Sequence, residues 1–305
     1  MERAPEFAVC LWNLEPTKEM VSSLQSCGVT ALEPGASFLT GNDEDTIAAV
    51  GAWCQSAGIR VYACHPPFGG EYDLSLADEG ARQQAVAGVA QSITRAALMG
   101  AECAVVHPSS GGITPETREH RHAQLARSLE DLLVTAERTG VRLALENMLP
   151  NHLGDTSDEV LELVESLDSH WLGVCLDTGH AHLNPEGVID AFQTLKERII
   201  TFHLQDNDRN HDRHLQPPYG TTDWDRFAQV CRAEDFPFPW SVEAGAWEGA
   251  GWDVLLREMK ALFAGQWLAV PWQGRSVRLV CRRCGRYAFG TLEHWTCGCG
   301  EFSTT

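Results

Sequence analysis

Short apolar runs alternate with amphipathic stretches along almost the whole chain. Phe7–Trp12, Val29–Glu33, Ile59–His65, Glu102–His107, Val141–Glu146, Leu172–Asp177, Ile199–Leu204 and Trp240–Glu243 are four to seven residues each and mostly apolar. That is the length and character of strands buried on both faces. Between them the spacing turns helical, predicting helices over Lys18–Cys27, Asp43–Ala57, Asp78–Met99, Pro115–Thr139, Ser157–Leu167, Pro185–Glu197, Trp224–Glu234 and Trp252–Phe263. Gly28, Gly58, Gly100 and Gly140 punctuate four helix ends, and Pro115 opens one helix. Eight strands alternating with eight helices over about 260 residues predict an α/β fold of the (β/α)₈, or TIM-barrel, type. A doubly wound open sheet would carry a Gly-rich phosphate turn after its first strand, and this chain has none there.

In such a barrel all strands end on one face, and that face carries the chemistry. The predicted ends bear Glu33, His65, His107, Glu146, Asp177 with His180, His203 and Glu243, and the polar loop after the seventh strand adds Asp212 and His214. The densest stretch is LGVCLDTGHAHL from Leu172, where Gly179 is expected to let the chain turn between Asp177 and His180. One strand-end Glu or His is usually a cap or a satisfied polar group. Carboxylates crowded at a single mouth, however, repel strongly without a cation. Imidazole and carboxylate donors without thiolate suit Mn, Mg, Co or Zn.

Charge sharpens this picture. The chain carries −19, but residues 275–305 hold five Arg against two Glu, a balance of +3, which leaves −22 on residues 1–274. A body that acidic repels nucleic-acid backbone. Lys18, Lys196 and Lys260 are the only lysines and all fall on predicted helices, which disfavours Schiff-base chemistry. No run of eighteen apolar residues and no charged-then-apolar amino terminus is seen, so neither a membrane span nor a signal peptide is expected, and cytoplasmic is the default location.

The motifs HPPFGGEYDLSL from His65, VHPSS around His107, LALEN ending at Asn147, CLDTGHAH from Cys175, FHLQDND around His203, DRHLQPPYGTTDW from Asp212 and SVEAG around Glu243 occur in that order on successive strand ends. In these, residues about 5–265 resemble the xylose-isomerase-like barrel family, which contains sugar (phosphate) isomerases and epimerases and the abasic-site enzyme endonuclease IV. The resemblance to the ketose epimerases implies one divalent ion held by Glu146, Asp177, His203 and Glu243. It also implies that Glu146 and Glu243 form an acid/base pair working through an enediolate, and that His180 and Arg209 contact substrate oxygens. Trp12, Phe68 and Trp247 are candidates for an apolar sugar wall. The resemblance to endonuclease IV implies a different use of the same residues. There His65, His107, His180, Asp212 and His214 join the other four in a nine-ligand, three-zinc pattern and cut abasic-site DNA. The acidic body and the scarcity of lysine favour proton transfer on a sugar or sugar phosphate.

Beyond residue 265 the pattern breaks. Residues 266–277 read as a linker and 278–305 as a separate small unit, in which Cys281, Cys284, Cys297 and Cys299 form two pairs twelve residues apart. That spacing predicts a four-cysteine structural zinc ribbon, because so short a segment buries too little apolar surface to fold without metal. A ribbon bearing +3 facing a −22 body suggests a homo-oligomer contact, and a non-catalytic binding protein using the ribbon is the remaining alternative. The seven other cysteines read as reduced core thiols.

Overall fold

The structure is a computed structural model in which residues 5–244, 251–265, 267–272, 276–281 and 287–290 are described. Its main body follows the predicted alternation: β1 (Phe7–Cys10), α1 (Lys18–Ser26), β2 (Ala31–Glu33), α2 (Ala36–Gly41), α3 (Glu44–Ser56), β3 (Arg60–Val61), β4 (Ala63–Cys64), α4 (Glu79–Leu98), β5 (Cys103–Val106), α5 (Pro115–Thr139), β6 (Arg142–Glu146), α6 (Ser157–Ser166), β7 (Leu172–Asp177), α7 (Thr178–Leu183), α8 (Gly187–Leu195), β8 (Ile199–Leu204), α9 (Trp224–Arg232), β9 (Trp240–Val242) and α10 (Trp252–Phe263). All nine strand segments pair in parallel, in the order β3-β2-β1-β9-β8-β7-β6-β5-β4. The segments at the two ends of that order are halves of one predicted strand, interrupted at Tyr62. Its lower half pairs with β2 and its upper half with β5, so the sheet closes on itself.

Local chemistry explains where the helices begin. Thr17, Asp43, Asp78, Thr156 and Asp223 each accept a backbone N–H of the first turn, satisfying a donor that the helix itself cannot. Gly140 ends α5 in the left-handed region at φ 75°, where a Cβ would be strained. The strands are buried on both faces, and the core has a large cluster and a second, smaller one of Tyr62, Ala63, Cys103, Val105, Ala144, Cys175 and Ile200. Cys10, Cys64, Cys103 and Cys175 are buried free thiols. Among the described residues no helix is long and apolar enough to cross a membrane.

Three features depart from the sequence expectations. Short helices α2 and α7 follow β2 and β7 directly. The predicted third strand is broken at Tyr62, whose hydroxyl donates to the Ile200 carbonyl at 2.6 Å. The stretch expected to be a linker contains β10 (Trp267–Trp272), which pairs antiparallel with β11 (Ser276–Cys281), and β11 pairs in turn with β12 (Tyr287–Gly290). Cys281 ends β11, opposite Trp267. Cys284, Cys297 and Cys299 lie outside the described residues, as does Trp247.

Candidate metal centre at the barrel mouth

Four consecutive strands deliver the deepest cluster. Glu146 and Asp177 are the last residues of β6 and β7, His203 lies within β8, and Glu243 follows β9. One donor atom from each lies within 4.8 Å of the others, and all four residues are buried. His203 is the centre. Its Nδ1 is 3.1 Å from Glu146 Oε1, 3.1 Å from Glu243 Oε2 and 4.0 Å from Asp177 Oδ2. Its Nε2 meets Glu33 Oε1 at 3.0 Å, and the Ser241 hydroxyl donates to the other Glu33 oxygen at 2.6 Å. Glu33 thus stands behind His203. With Nε2–H directed at Glu33, Nδ1 is left facing the point where Glu146, Asp177 and Glu243 converge, which is how histidine ligands are commonly oriented.

A second group shares Glu146. His65 Nε2 and His107 Nε2 are 3.2 Å apart, and Glu146 Oε2 lies 2.9 Å from His107 Nε2 and 3.9 Å from His65 Nε2. The Nδ1 of His65 is tied to the Pro66 carbonyl at 3.0 Å. Outside these, His180 Nε2 is 3.5 Å and His214 Nε2 3.0 Å from Asp212 Oδ2. His180 Nδ1 is tied to the Asn147 carbonyl at 2.9 Å and His214 Nδ1 to the Glu243 carbonyl at 3.1 Å. The three rings therefore turn the same nitrogen, Nε2, into the mouth.

The electrostatics describe a site short of positive charge. Burial pushes the Asp177 carboxyl up, His180 opposes this, and Glu146, Glu243 and Asp212 reinforce it, leaving it at about 7. Burial would lower His203, yet Cys175, Glu243, Glu33 and Glu146 hold it well above its ordinary value. Burial likewise opposes protonation of His180 and His214. Asp177 with Asp212 raises the first to about 10, and Asp212 with Glu243 raises the second to about 9. A divalent cation fits this donor set. One donor atom each from Glu146, Asp177, His203 and Glu243 converge on one buried point, and these oxygen and nitrogen donors suit a hard or borderline ion.

Above the clusters is a cavity of about 620 Å³ lined by His65, His107, Glu146, His180, Asp212, His214 and Glu243, with Trp12 and Phe68 at the rim. Phe68, 51% exposed, lies over His107 with ring centres 4.1 Å apart. Trp12 stands edge-on to His214 and donates its indole N–H to Glu243 Oε1 at 3.2 Å. It does so from a left-handed backbone, φ 47°, with its carbonyl packed onto Gly35, where an added Cβ would come within 1.8 Å. Among the described residues no Lys or Arg lines this cavity. Arg209 is exposed, and its charge helps burial to lower the His182 imidazole to about 4.

The family model for the xylose isomerase-like TIM barrel matches residues 21–262. The chain belongs to this family. As a xylose isomerase-like barrel it has relatives with different activities. It is 34% identical to endonuclease 4 of Thermus thermophilus over 45% of this chain and 51% of that one. It is 26% identical to fructoselysine 3-epimerase of Shigella flexneri over 57% of this chain and 64% of that one. The chain spans about half the length of several curated relatives it matches. A solved D-tagatose 3-epimerase-like protein superposes on 85% of this chain and 97% of its own with a TM-score of 0.74 at 21% identity, a likeness of fold.

The structure also revises two roles read from the sequence. Glu33 sits at a strand end as expected, but faces away from the cavity to hold His203. Gly179 lies inside α7, and its missing Cβ makes room for the Gln205 amide, whose Cδ would lie 2.1 Å from an added Cβ. Gln205, His152, Ser109 and Ser110 were not among the candidate residues. A strand alternation signal was available for Gln205, which is two residues after His203 and hence on the same side of the chain. His152 and the serines sit on loops with no periodic pattern.

Proposed function

We propose that the barrel is a metal-dependent sugar isomerase or epimerase that moves a proton between Glu146 and Glu243. The observation that carries this reading is the division of labour within each carboxylate. Glu146 places Oε1 and Glu243 places Oε2 at 3.1 Å from His203 Nδ1, while each has a second oxygen directed elsewhere. One glutamate takes the proton from the carbon beside the sugar carbonyl, and the electron pair moves onto the carbonyl oxygen. The other returns a proton, to the opposite face of that carbon for epimerisation or to its neighbour for isomerisation. A divalent ion held by Glu146, Asp177, His203 and Glu243 would supply charge stabilisation for the developing oxyanion. Trp12 positions Glu243, and Trp12 with Phe68 gives a sugar ring an apolar wall. A cavity without Lys or Arg suits an unphosphorylated sugar. In deuterated water, a panel of neutral ketoses should acquire deuterium on the carbon next to the carbonyl, and Glu146→Gln and Glu243→Gln should abolish this. Turnover without deuterium uptake would refute the mechanism.

A second reading, hydrolysis of an abasic-site phosphodiester, draws on one observation: all nine expected ligands gather into three adjacent groups. The body charge of −22 and the lack of Lys or Arg in the lining among the described residues weigh against it. Nicking of an abasic oligonucleotide tests it directly. For the tail, we propose that Cys281, Cys284, Cys297 and Cys299 hold a structural zinc and that the ribbon mediates assembly rather than turnover. Truncation after Gly265 should leave turnover per folded barrel intact while reducing oligomer size.

A further inference from the structure

Between the deep cluster and the outer group lies a side chain that belongs to neither. Gln205 is fully buried. Its amide nitrogen donates to Asp212 Oδ1 at 2.8 Å and contacts Asp177 Oδ1 and Oδ2 at 3.2 and 3.4 Å. One neutral –NH₂ therefore serves two carboxylates from two different clusters. The price is paid at the other end of the amide, because Gln205 Oε1 is buried with no hydrogen-bond partner. An acceptor buried this way has given up water without gaining a partner. Flipping the amide would not relieve it, since Oε1 would then face both anionic groups.

The surroundings hold this arrangement in place. The backbone N–H of Gln205 donates to Thr178 Oγ1 at 3.0 Å, and that hydroxyl donates to the Gln205 carbonyl at 2.7 Å. Gly179 packs directly on the amide, with no space for a Cβ. A neutral donor is also the chemistry the place requires. A carboxylate here would add a third negative group, and an apolar side chain would remove the one donor that reaches Asp212 Oδ1 and Asp177 together.

We infer that Gln205 is a positioning residue that fixes Asp177 and Asp212 relative to each other, and thereby sets the metal affinity of the deep cluster. The inference rests on the metal-dependent reading above but is read out without turnover. Residues standing behind metal ligands commonly contribute 10–100-fold to affinity. Metal-free full-length protein titrated calorimetrically with Mn²⁺ should bind it, and Gln205→Met, equal in length but lacking the donor, should bind about 10–100-fold more weakly per folded barrel. Gln205→Asn keeps the amide but is one methylene too short to span both carboxylates, so it should lose affinity as well; it serves if the Met variant does not fold. In a double-mutant cycle with Asp212→Asn, the Gln205→Met effect should shrink, as expected for groups acting as a unit. A folded variant with wild-type affinity overturns the assignment, as does strict additivity in the cycle. Failure of the wild-type protein to bind any of Mn²⁺, Co²⁺ or Zn²⁺ at the barrel overturns it together with the metal-dependent reading.

Discussion

The deep and outer clusters use the same chemical groups but are built in opposite ways. Glu146, Asp177 and His203 are fixed by strand pairing, with Asp177 directly opposite His203 in the ladder, and Glu243 is attached to the same sheet through its N–H to the Leu204 carbonyl. His180 comes from the six-residue α7, while Asp212 and His214 come from the connection between β8 and α9. Their side chains are 21% and 30% exposed. Charge follows the same divide. In the outer group, two imidazoles raised to about 10 and 9 flank a carboxyl held far below its usual range, so bound protons compensate it. In the deep group Asp177 is driven up to about 7, and the carboxylates around His203 hold that imidazole well above its ordinary value. The sheet-borne cluster brings four donors to one point, as a cation site would; the loop-borne one already sets its carboxylate against two imidazoles.

The sharpest way to break that contrast is at the glutamates. Glu146→Gln or Glu243→Gln should lower deuterium wash-in by about 10²–10⁴-fold with the circular dichroism spectrum unchanged, whereas Asp212→Asn should cost much less. Equal losses at all three would mean that the outer group carries the chemistry too. Glu33→Gln comes next. It removes the charge behind His203 without changing shape, and should weaken Mn²⁺ binding about 10–100-fold, measured by calorimetry.

The barrel itself was legible because helix stops and apolar runs are local signals, and parallel pairing then gathers the strand ends automatically. The break at Tyr62 was not, since there the strand changes partner: the Tyr62 N–H still donates to the Leu32 carbonyl, while its own carbonyl accepts from both Glu102 and Cys103. The ligands at the mouth were legible as residue types at strand ends. Which of them face the cavity was not. Glu33 and Glu146 look alike in the sequence, and only the 3.0 Å contact with His203 assigns Glu33 to the rear. Gln205 was invisible for another reason: a neutral amide announces nothing until two carboxylates are found on it.

Smaller effects sharpen the comparison further. Asp73 binds the loop after β4 to the loop after β5, accepting from Ser75 and Ser110 backbone and hydroxyl groups and from Arg121. Burial opposes its ionisation, but the Ser110 and Ser75 hydrogen bonds hold its pKa below 3.8. The unfolded chain therefore takes up this proton first as pH falls, so the stabilisation is present above about pH 4 and disappears below it as the folded carboxyl itself titrates. Urea melts should show Asp73→Asn to be less stable by about 1–3 kcal/mol at pH 7, with the gap closing in acid. The least effect is expected at Arg209. Because it is exposed and outside the cavity lining, Arg209→Ala should change stability by no more than about 0.5 kcal/mol and leave kcat/KM as it was.

The imidazoles of His65, His180 and His214 are all anchored through main-chain oxygens, those of Pro66, Asn147 and Glu243. Every amino acid carries such an oxygen, so no side-chain substitution at the anchor deletes the bond. Alanine scanning would not report these bonds: at Asn147 it would report the loss of the amide that holds the Asp177 backbone, and at Glu243 the loss of the carboxylate. Ring orientation is thereby insulated from point mutation and depends on the path of the backbone alone.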